Sequence, residues 1–325
     1  MVNIKQIAKT AGVSVTTVSR VLNDHPYVSE EKRKRVLETV EELNYAKNVN
    51  AVHLLKGKTH TIGVMLPFIN LPYFSTIIEG IGTKALEAGY RITLCQTNYD
   101  SMEEMRVLEM MKMKQFDGII ICSRASSWEA IEHYAKFAPI ISCEKLLHPL
   151  ISSVYVNHYD GFRIGTEYLL QNGHEHIGFC LARKKSVSTK QREQAFFDTL
   201  HAAGKHSQTD WQFYQCYNIQ DGVNVIQSIL AMKNRPTALF AASDQVASGL
   251  LTEAKKQGLR VPEDLAILGF DNHPISEALE ITTIEHPGLA MGNHAFSLFY
   301  EQIQQEQITG TSEELPFRLI ERGTV

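Results

Sequence analysis

Residues 4–23 read Ile4-Lys-Gln-Ile-Ala-Lys-Thr-Ala-Gly-Val-Ser-Val-Thr-Thr-Val-Ser-Arg-Val-Leu-Asn23, an order that specifies two short helices and the turn between them. Ile4, Ile7, Ala8 and Ala11 recur at i, i+3, i+4 and i+7, the spacing of one helix face. Asn3 stands at the N-cap, with Gln6 three residues on as its capping-box partner. Gly12 gives the backbone freedom for a tight turn, Val13 is an apolar plug, and Ser14 can cap a second helix from about Val15 to Val21. On that helix Val18, Val21 and Leu22 face the first. Val15, Thr16, Thr17, Ser19 and Arg20 are left on the outer side.

Beyond Asn23 and Pro26, Ser29 can cap a third helix with Val36, Leu37, Val40 and Leu43 on one face and Lys32, Arg33, Lys34 and Arg35 near its start. Three such helices make a helix-turn-helix whose second member fits a DNA major groove. Thr, Ser and Arg suit that task, because they offer short hydrogen-bonding groups and one bidentate donor to base edges and phosphates. Charge points the same way. The first sixty residues hold ten Lys or Arg against six Asp or Glu, while the remainder holds 22 against 30 and the whole chain is at -4. Only the N-terminal segment is built to meet a polyanion.

From Thr61 the pattern changes to apolar strands alternating with helical stretches, which predicts a parallel α/β domain. Ile62–Leu66, Ile92–Cys95, Gly118–Cys122 and Pro139–Cys143 read as strands, with helices over Phe74–Ala88, Ser101–Met113 and Trp128–Phe137. A second series has strands at Ser153–Val156, Ile177–Leu181, Ala238–Ala241 and Leu265–Gly269, with helices from about Gly161, Gln191, Gly222 and Gln245. Ligands of open α/β sheets bind beyond the carboxyl ends of the strands. There the sequence places Glu144, Asn157, Asp160, Ser243, Asp244 and Asp271, with Arg192 opening a helix. One arginine among carboxylates and amides can bind a polyol, since Arg donates to hydroxyl oxygens and carboxylates accept their protons. Phe68, Tyr73 and Phe74 can stack on a ring or cap the sheet.

A length of 325 residues, 44% hydrophobic and 21% charged, suits a small module plus a large one. No apolar run reaches the roughly 18 residues of a membrane helix, and Met1–Lys9 has no secretory pattern, so a cytoplasmic protein without a membrane partner is expected. Cys95, Cys122, Cys143, Cys180 and Cys216 are odd in number and lack CxxC spacing, which predicts buried free thiols and no metal site. There is no GxSxG, P-loop or HExxH pattern, and His174 and His176 at i, i+2 do not share a helix face. No enzyme and no cofactor is expected.

Residues 4–23, with Val28-Ser29 and Glu42-Leu43-Asn44-Tyr45, resemble the headpiece of the lactose/galactose repressor family, and the likeness continues more sparsely to the C-terminus. The resemblance implies a small all-α helix-turn-helix headpiece (1–46) and a hinge helix and linker (47–60). It implies next a periplasmic-binding-protein-like α/β core (61–325) of two Rossmann-like subdomains. Their limits would be about 61–157 with 288–315, and about 158–287 with 316–325.

It also implies a repressor binding double-stranded DNA at a near-palindromic operator as a homodimer. Val15 and Thr16 would occupy the positions that vary with operator sequence, Arg20 would read a guanine, and Thr17, Ser19 and Asn23 would complete the DNA face. In the hinge Leu54, or Leu55 if the register slips by one, would wedge into the minor groove. Effector contacts would fall on Glu144, Arg192, Ser243, Asp271 and His286, with Tyr73 beside them. At Glu144, Ser243 and His286 the commoner family residues are Asp, Asn and Gln. The effector would be a sugar or sugar phosphate, or the signal a phosphorylated phosphocarrier protein. His25–Lys34, Gly57–Thr61, Ser123–Ala125 and Ala295–Phe299 resemble the catabolite-control branch of Gram-positive bacteria, which implies carbon catabolite repression. The residues after the last strand carry no heptad extension, so a dimer rather than a tetramer is expected. A solute-binding protein without a DNA role is the rival reading, and the headpiece opposes it.

Overall fold

The structure, a computed structural model, describes residues 2–45 and 57–325. The chain divides into two compact units, Met1–Thr59 and His60–Val325. The hinge expectation, with Leu54 and Leu55, lies outside the described residues.

The first unit holds α1 (Ile4–Ala11), α2 (Val15–Leu22) and α3 (Glu30–Glu42) around buried Ile7, Ala8, Ala11, Val18, Val21 and Val36. Asn3 and Gln6 form the reciprocal capping box, Gly12 ends α1 at φ 63°, and Ser14 Oγ accepts from the Thr17 amide at 3.1 Å. Two features depart from the expected pattern. Leu37 is 49% exposed, because Val36, Thr39, Val40 and Leu43 share the inner face and position 37 is rotated about 100° from Val36. Arg33 and Arg35 are not free surface charges. Arg33 donates to Asp24 Oδ1 at 2.7 Å and to the His25 carbonyl at 2.8 Å, and Arg35 donates to the Ala11 carbonyl at the end of α1.

The second unit begins with β1 (Thr61–Leu66), α4 (Pro72–Glu87), β2 (Arg91–Gln96), α5 (Ser101–Lys112), β3 (Ile119–Ile121), α6 (Trp128–Glu132), β4 (Ile140–Ser142) and β5 (Ile151–Tyr155). It continues with α7 (His158–Gln171), β6 (Ile177–Cys180), α8 (Val187–Ala202), β7 (Gln212–Phe213), α9 (Ile219–Leu230), β8 (Ala238–Ala241), α10 (Asp244–Lys256) and β9 (Ala266–Asp271). The last elements are α11 (Pro274–Ala278), β10 (Thr282–Glu285), α12 (Gly288–Gln305), β11 (Ser312–Glu314) and β12 (Arg318–Ile320). One sheet runs β11-β5-β4-β3-β1-β2, parallel throughout, and the other β12-β10-β9-β8-β6-β7, parallel except for β12.

The strand at Ser153, expected to open the second series, pairs with β4 and closes the first. The helix expected to Phe137 ends at Glu132, after which the Tyr134, Ala135 and Phe137 amides bond carbonyls three residues back as the chain tightens toward Pro139. The chain passes between the sheets three times, after β5, after β10 and after β11. In each half two helices cross backbone to backbone on glycines. A Cβ on Gly292 would sit 2.1 Å from the Ile77 carbonyl oxygen, and one on Gly249 would sit 2.0 Å from that of Ile219. Cys122, Cys143, Cys180 and Cys216 are buried free thiols, and Cys95 is half-buried on the exposed edge strand β2.

Candidate functional site

On the headpiece, burial of Val18 and Val21 turns one side of α2 outward. Val15, Thr16, Arg20 and Asn23 are exposed, while Thr17 and Ser19 are half-buried. The Thr17 hydroxyl lies 2.9 Å from Ser14 Oγ and so is tied to the helix cap, and Asn23 Nδ2 donates to the Ser19 carbonyl at 2.9 Å. The Arg20 guanidinium makes no hydrogen bond or ion pair among the described residues, which leaves its donors available. Exposed Lys5, Lys9, Lys32 and Lys34 complete a basic unit.

In the second unit the carboxyl ends of both sheets border one cavity of about 1150 Å³ including its open mouth. Strand-end segments supply Phe68, Tyr99, Ser123, Glu144 and Tyr155 from one half, and Tyr217, Ser243 and Asp271 from the other, with Arg192 on α8. Aromatic rings of both halves meet at this cavity: Phe68 lies 5.7 Å from Tyr99 and 6.3 Å from Tyr217, both edge to face.

Arg192 is 9% exposed and held on three sides. It donates to the Ala242 carbonyl at 3.1 Å, lies 3.2 Å from His158 Nδ1, and packs its guanidinium 4.3 Å from the centre of the Phe270 ring. Its Nε has no hydrogen-bond partner among the described residues. Burial, together with the charge of Arg192, keeps His158 neutral well below its ordinary pKa, so its Nδ1 can accept that bond. Asp271 ends β9 at φ 111°, a conformation that L residues avoid and that surrounding structure must impose. Burial, and then the neighbouring Asp244, pushes its carboxyl well above the ordinary range, against the pull of Arg192.

Glu144 accepts from Ser123 Oγ at 3.1 Å and lies 3.3 Å from Arg124 Nε. Burial raises its pKa and Arg124 opposes the rise. Ser243 Oγ is engaged as the N-cap of α10, accepting from the Val246 amide at 3.3 Å. Tyr73 is half-buried and meets His286 edge to face, with ring centres 4.9 Å apart.

Five of the six expected effector contacts thus line one cavity, Glu144, Arg192, Ser243, Asp271 and Tyr73, whereas Asn157, Asp160 and Asp244, also expected at strand ends, do not line it. Nor does His286. It follows β10 in a segment that crosses between the halves, behind Tyr73, and lines an adjoining space with Asn272, Glu285 and Pro287. Tyr99 was missed, though it follows the expected strand β2 and the strand-end rule applied there would have found it; Tyr217 follows β7, a two-residue strand that the apolar pattern did not reveal.

Residues 3–48 match the family model of bacterial regulatory proteins, lacI family, and residues 59–322 match that of periplasmic binding proteins and the sugar binding domain of the LacI family. The chain belongs to the LacI family. An uncharacterized HTH-type transcriptional regulator of Bacillus subtilis (strain 168), YkvZ, is 45% identical over 100% of both chains. Catabolite control protein B of the same strain is 38% identical over 93% of this chain and 95% of its own. The Lac repressor dimer bound to operator and the anti-inducer ONPF superposes with a TM-score of 0.82 at 26% identity, covering 99% of this chain and 98% of the repressor. This LacI-family protein is a DNA-binding transcription regulator with a sugar-binding-type core, and not an enzyme. LacI-family repressors bind DNA operators, dimerise and bind small-molecule effectors. Among the described residues no helix is long and apolar enough to cross a membrane.

Proposed function

We propose that this regulator represses carbon-source genes in the cytoplasm, binding a near-palindromic operator as a homodimer and releasing or tightening its grip when a sugar or sugar phosphate enters the cleft. The observation that carries the reading is the pairing of Arg192, with its unpartnered buried Nε, and the carboxylate of Asp271 on the wall of one cavity. A fixed donor beside a fixed acceptor suits neighbouring hydroxyls of a polyol, and the flanking aromatic rings suit its apolar face. Glu144 and Ser123 offer further polar contacts from the other half. On DNA, Arg20 reads a guanine and Val15 and Thr16 contact adjacent bases, an apolar contact such as a thymine methyl being all that the Val15 side chain can make.

Control is a population shift. The effector binds one arrangement of the two halves better than the other, and that difference sets operator affinity. The likeness to catabolite control protein B supports the carbon-source assignment. Genome-wide footprinting of the full chain tests the reading, run alone, with a panel of sugars and sugar phosphates, and with phosphorylated phosphocarrier protein. Protected palindromes whose occupancy changes with one sugar are the expected result. Absence of sequence-specific protection under every condition overturns the repressor reading, and a response to the phosphocarrier alone moves the signal out of the cleft.

A further inference from the structure

Arg183 follows β6 in one half of the core, yet its guanidinium hydrogen-bonds and stacks on the other half. Its Nη2 donates to the Arg124 carbonyl at 2.9 Å, and its guanidinium lies 4.0 Å from the centre of the Tyr99 ring. Both partners are tied to each other through the cavity wall. The Tyr99 hydroxyl lies 3.3 Å from Ser123 Oγ, Ser123 donates to Glu144 at 3.1 Å, and Glu144 holds Arg124 at 3.3 Å. Arg183, Tyr99, Ser123, Glu144 and Arg124 therefore form a closed circuit in which Arg183 is the only member from its half.

The anchor on the far side is firm. Arg124 stacks 4.0 Å from the Trp128 ring, and the buried carboxylate of Glu104 accepts the amides of Ala125 and Ser126 at 2.7 and 2.8 Å. A cation over an aromatic face and a charged donor on a carbonyl each favour the joined state over a hydrated, separated one.

We propose that Arg183 is a positioning residue that clasps the two halves together before any ligand arrives, and that Tyr99, Ser123 and Glu144, which line the cavity, let a bound ligand act on the clasp. The consequence for control rests on the reading of this cleft as the effector site, but the clasp itself can be tested without an effector.

The protein carries its own reporters. Cys122, Cys143 and Cys216 line the cavity at 1%, 4% and 5% exposure, Cys180 is buried beside Cys216 without lining it, and Cys95 lies on an outer edge strand. The ligand-free full chain is labelled with N-ethylmaleimide, and each thiol is followed by mass spectrometry in wild type, Arg183→Ala, Arg183→Lys and Tyr99→Leu. If the clasp holds the cleft, Arg183→Ala and Tyr99→Leu speed labelling of the three cavity thiols about tenfold while Cys95 and Cys180 keep their wild-type rates. Arg183→Lys, which keeps a cation and a donor, stays near wild type. Unchanged cavity-thiol rates in Arg183→Ala, an equal rise at Cys180, or a lysine variant as fast as the alanine variant each overturn the proposal. The first would show no clasp, the second general loosening, and the third simple packing. Where Arg183→Ala does not fold, Tyr99→Leu decides in the same way. A failed footprint would leave this result untouched.

Discussion

Arg192 and Asp271 line the same cleft wall without an ion pair among the described residues, since the Arg192 guanidinium turns two of its nitrogens to the Ala242 carbonyl and His158. Held apart, they keep hydrogen-bonding groups, Arg192 Nε among them, that a direct pair would consume. Arg192→Ala is therefore expected to abolish the small-molecule response while sparing DNA affinity in the absence of ligand. Titration of labelled operator with and without the active sugar checks this, and an intact response refutes the assigned pocket.

Arg20 is exposed on α2 with its donors unused. Arg20→Ala should lose about 1–3 kcal/mol of discrimination against the wrong base while retaining salt-sensitive binding to random DNA. Competition binding at several salt concentrations separates the two terms. Equal loss on operator and random sequence would make Arg20 a phosphate contact.

Arg35 reaches from α3 to the carbonyl that ends α1, and Gly12 lies beside its guanidinium. Arg35→Ala should cost about 1 kcal/mol in the headpiece alone, since it removes a charged donor from two half-exposed carbonyls. Hydrogen exchange of the full chain should quicken at residues 7–13 and stay unchanged in the core. No change at those amides would show that the contact is dispensable.

Gly292 meets the Ile77 carbonyl so closely that a methyl group forces the helices α4 and α12 apart. Gly292→Ala is expected to destabilise the core by about 1–3 kcal/mol. Urea denaturation gives the figure, and a wild-type midpoint would mean that the helix pair gives way without cost.

His286 carries a pH dependence. Burial, reinforced by the charge of Arg192, lowers its pKa from 6.5 to about 3, and neither ring nitrogen has a hydrogen-bond partner among the described residues. The unfolded chain then binds a proton below pH 6.5 that the folded chain refuses until about pH 3. Stability from this group is complete above pH 6.5 and is lost as pH falls toward 3, at about 1.4 kcal/mol per unit. Asp244, raised to about 6 by burial, acts with the opposite sign, favouring the folded state at lower pH. The informative quantity is thus the difference between wild type and His286→Phe, which should shrink the acid loss between pH 6.5 and 4.5. Parallel denaturation curves would show that His286 does not titrate alone.

The headpiece was legible because its helices are short, capped and periodic, so Asn3, Gln6, Gly12 and Ser14 each have one local task that the structure shows them performing. The alternation of strand and helix was legible for the same local reason. What escaped depends on partners remote in sequence. Arg33 and Arg35 look like surface charge until the turn ends they fasten are brought to them. The helix Gly288–Gln305 mixes Gly, Ala, Asn and His because it packs against another helix at backbone distance, which dulls its apolar pattern. Strand-end position found Glu144, Ser243 and Asp271, whereas His286, expected from the family resemblance, is carried behind Tyr73 by a crossing segment. No local signal reveals Arg183, whose partners lie some sixty and eighty residues earlier in the chain.

The three passes of the chain between the sheets bear on synthesis. Ile62, Phe74 and Ile120 share their core with Met291, Phe296 and Phe299, and the edge strand Ser312–Glu314 completes their sheet. A growing chain therefore has five strands of the first sheet by Tyr155 but leaves them without the helix Gly288–Gln305 until that helix has left the ribosome, whereas the second half has five strands and the helices between them by Glu285. The half that begins later has its covering helices sooner, and the half that begins first must wait with apolar strands uncovered. Chains stalled just past Pro287 should resist protease over the second half and yield to it over the first. The order of assembly would then be the reverse of the order of translation.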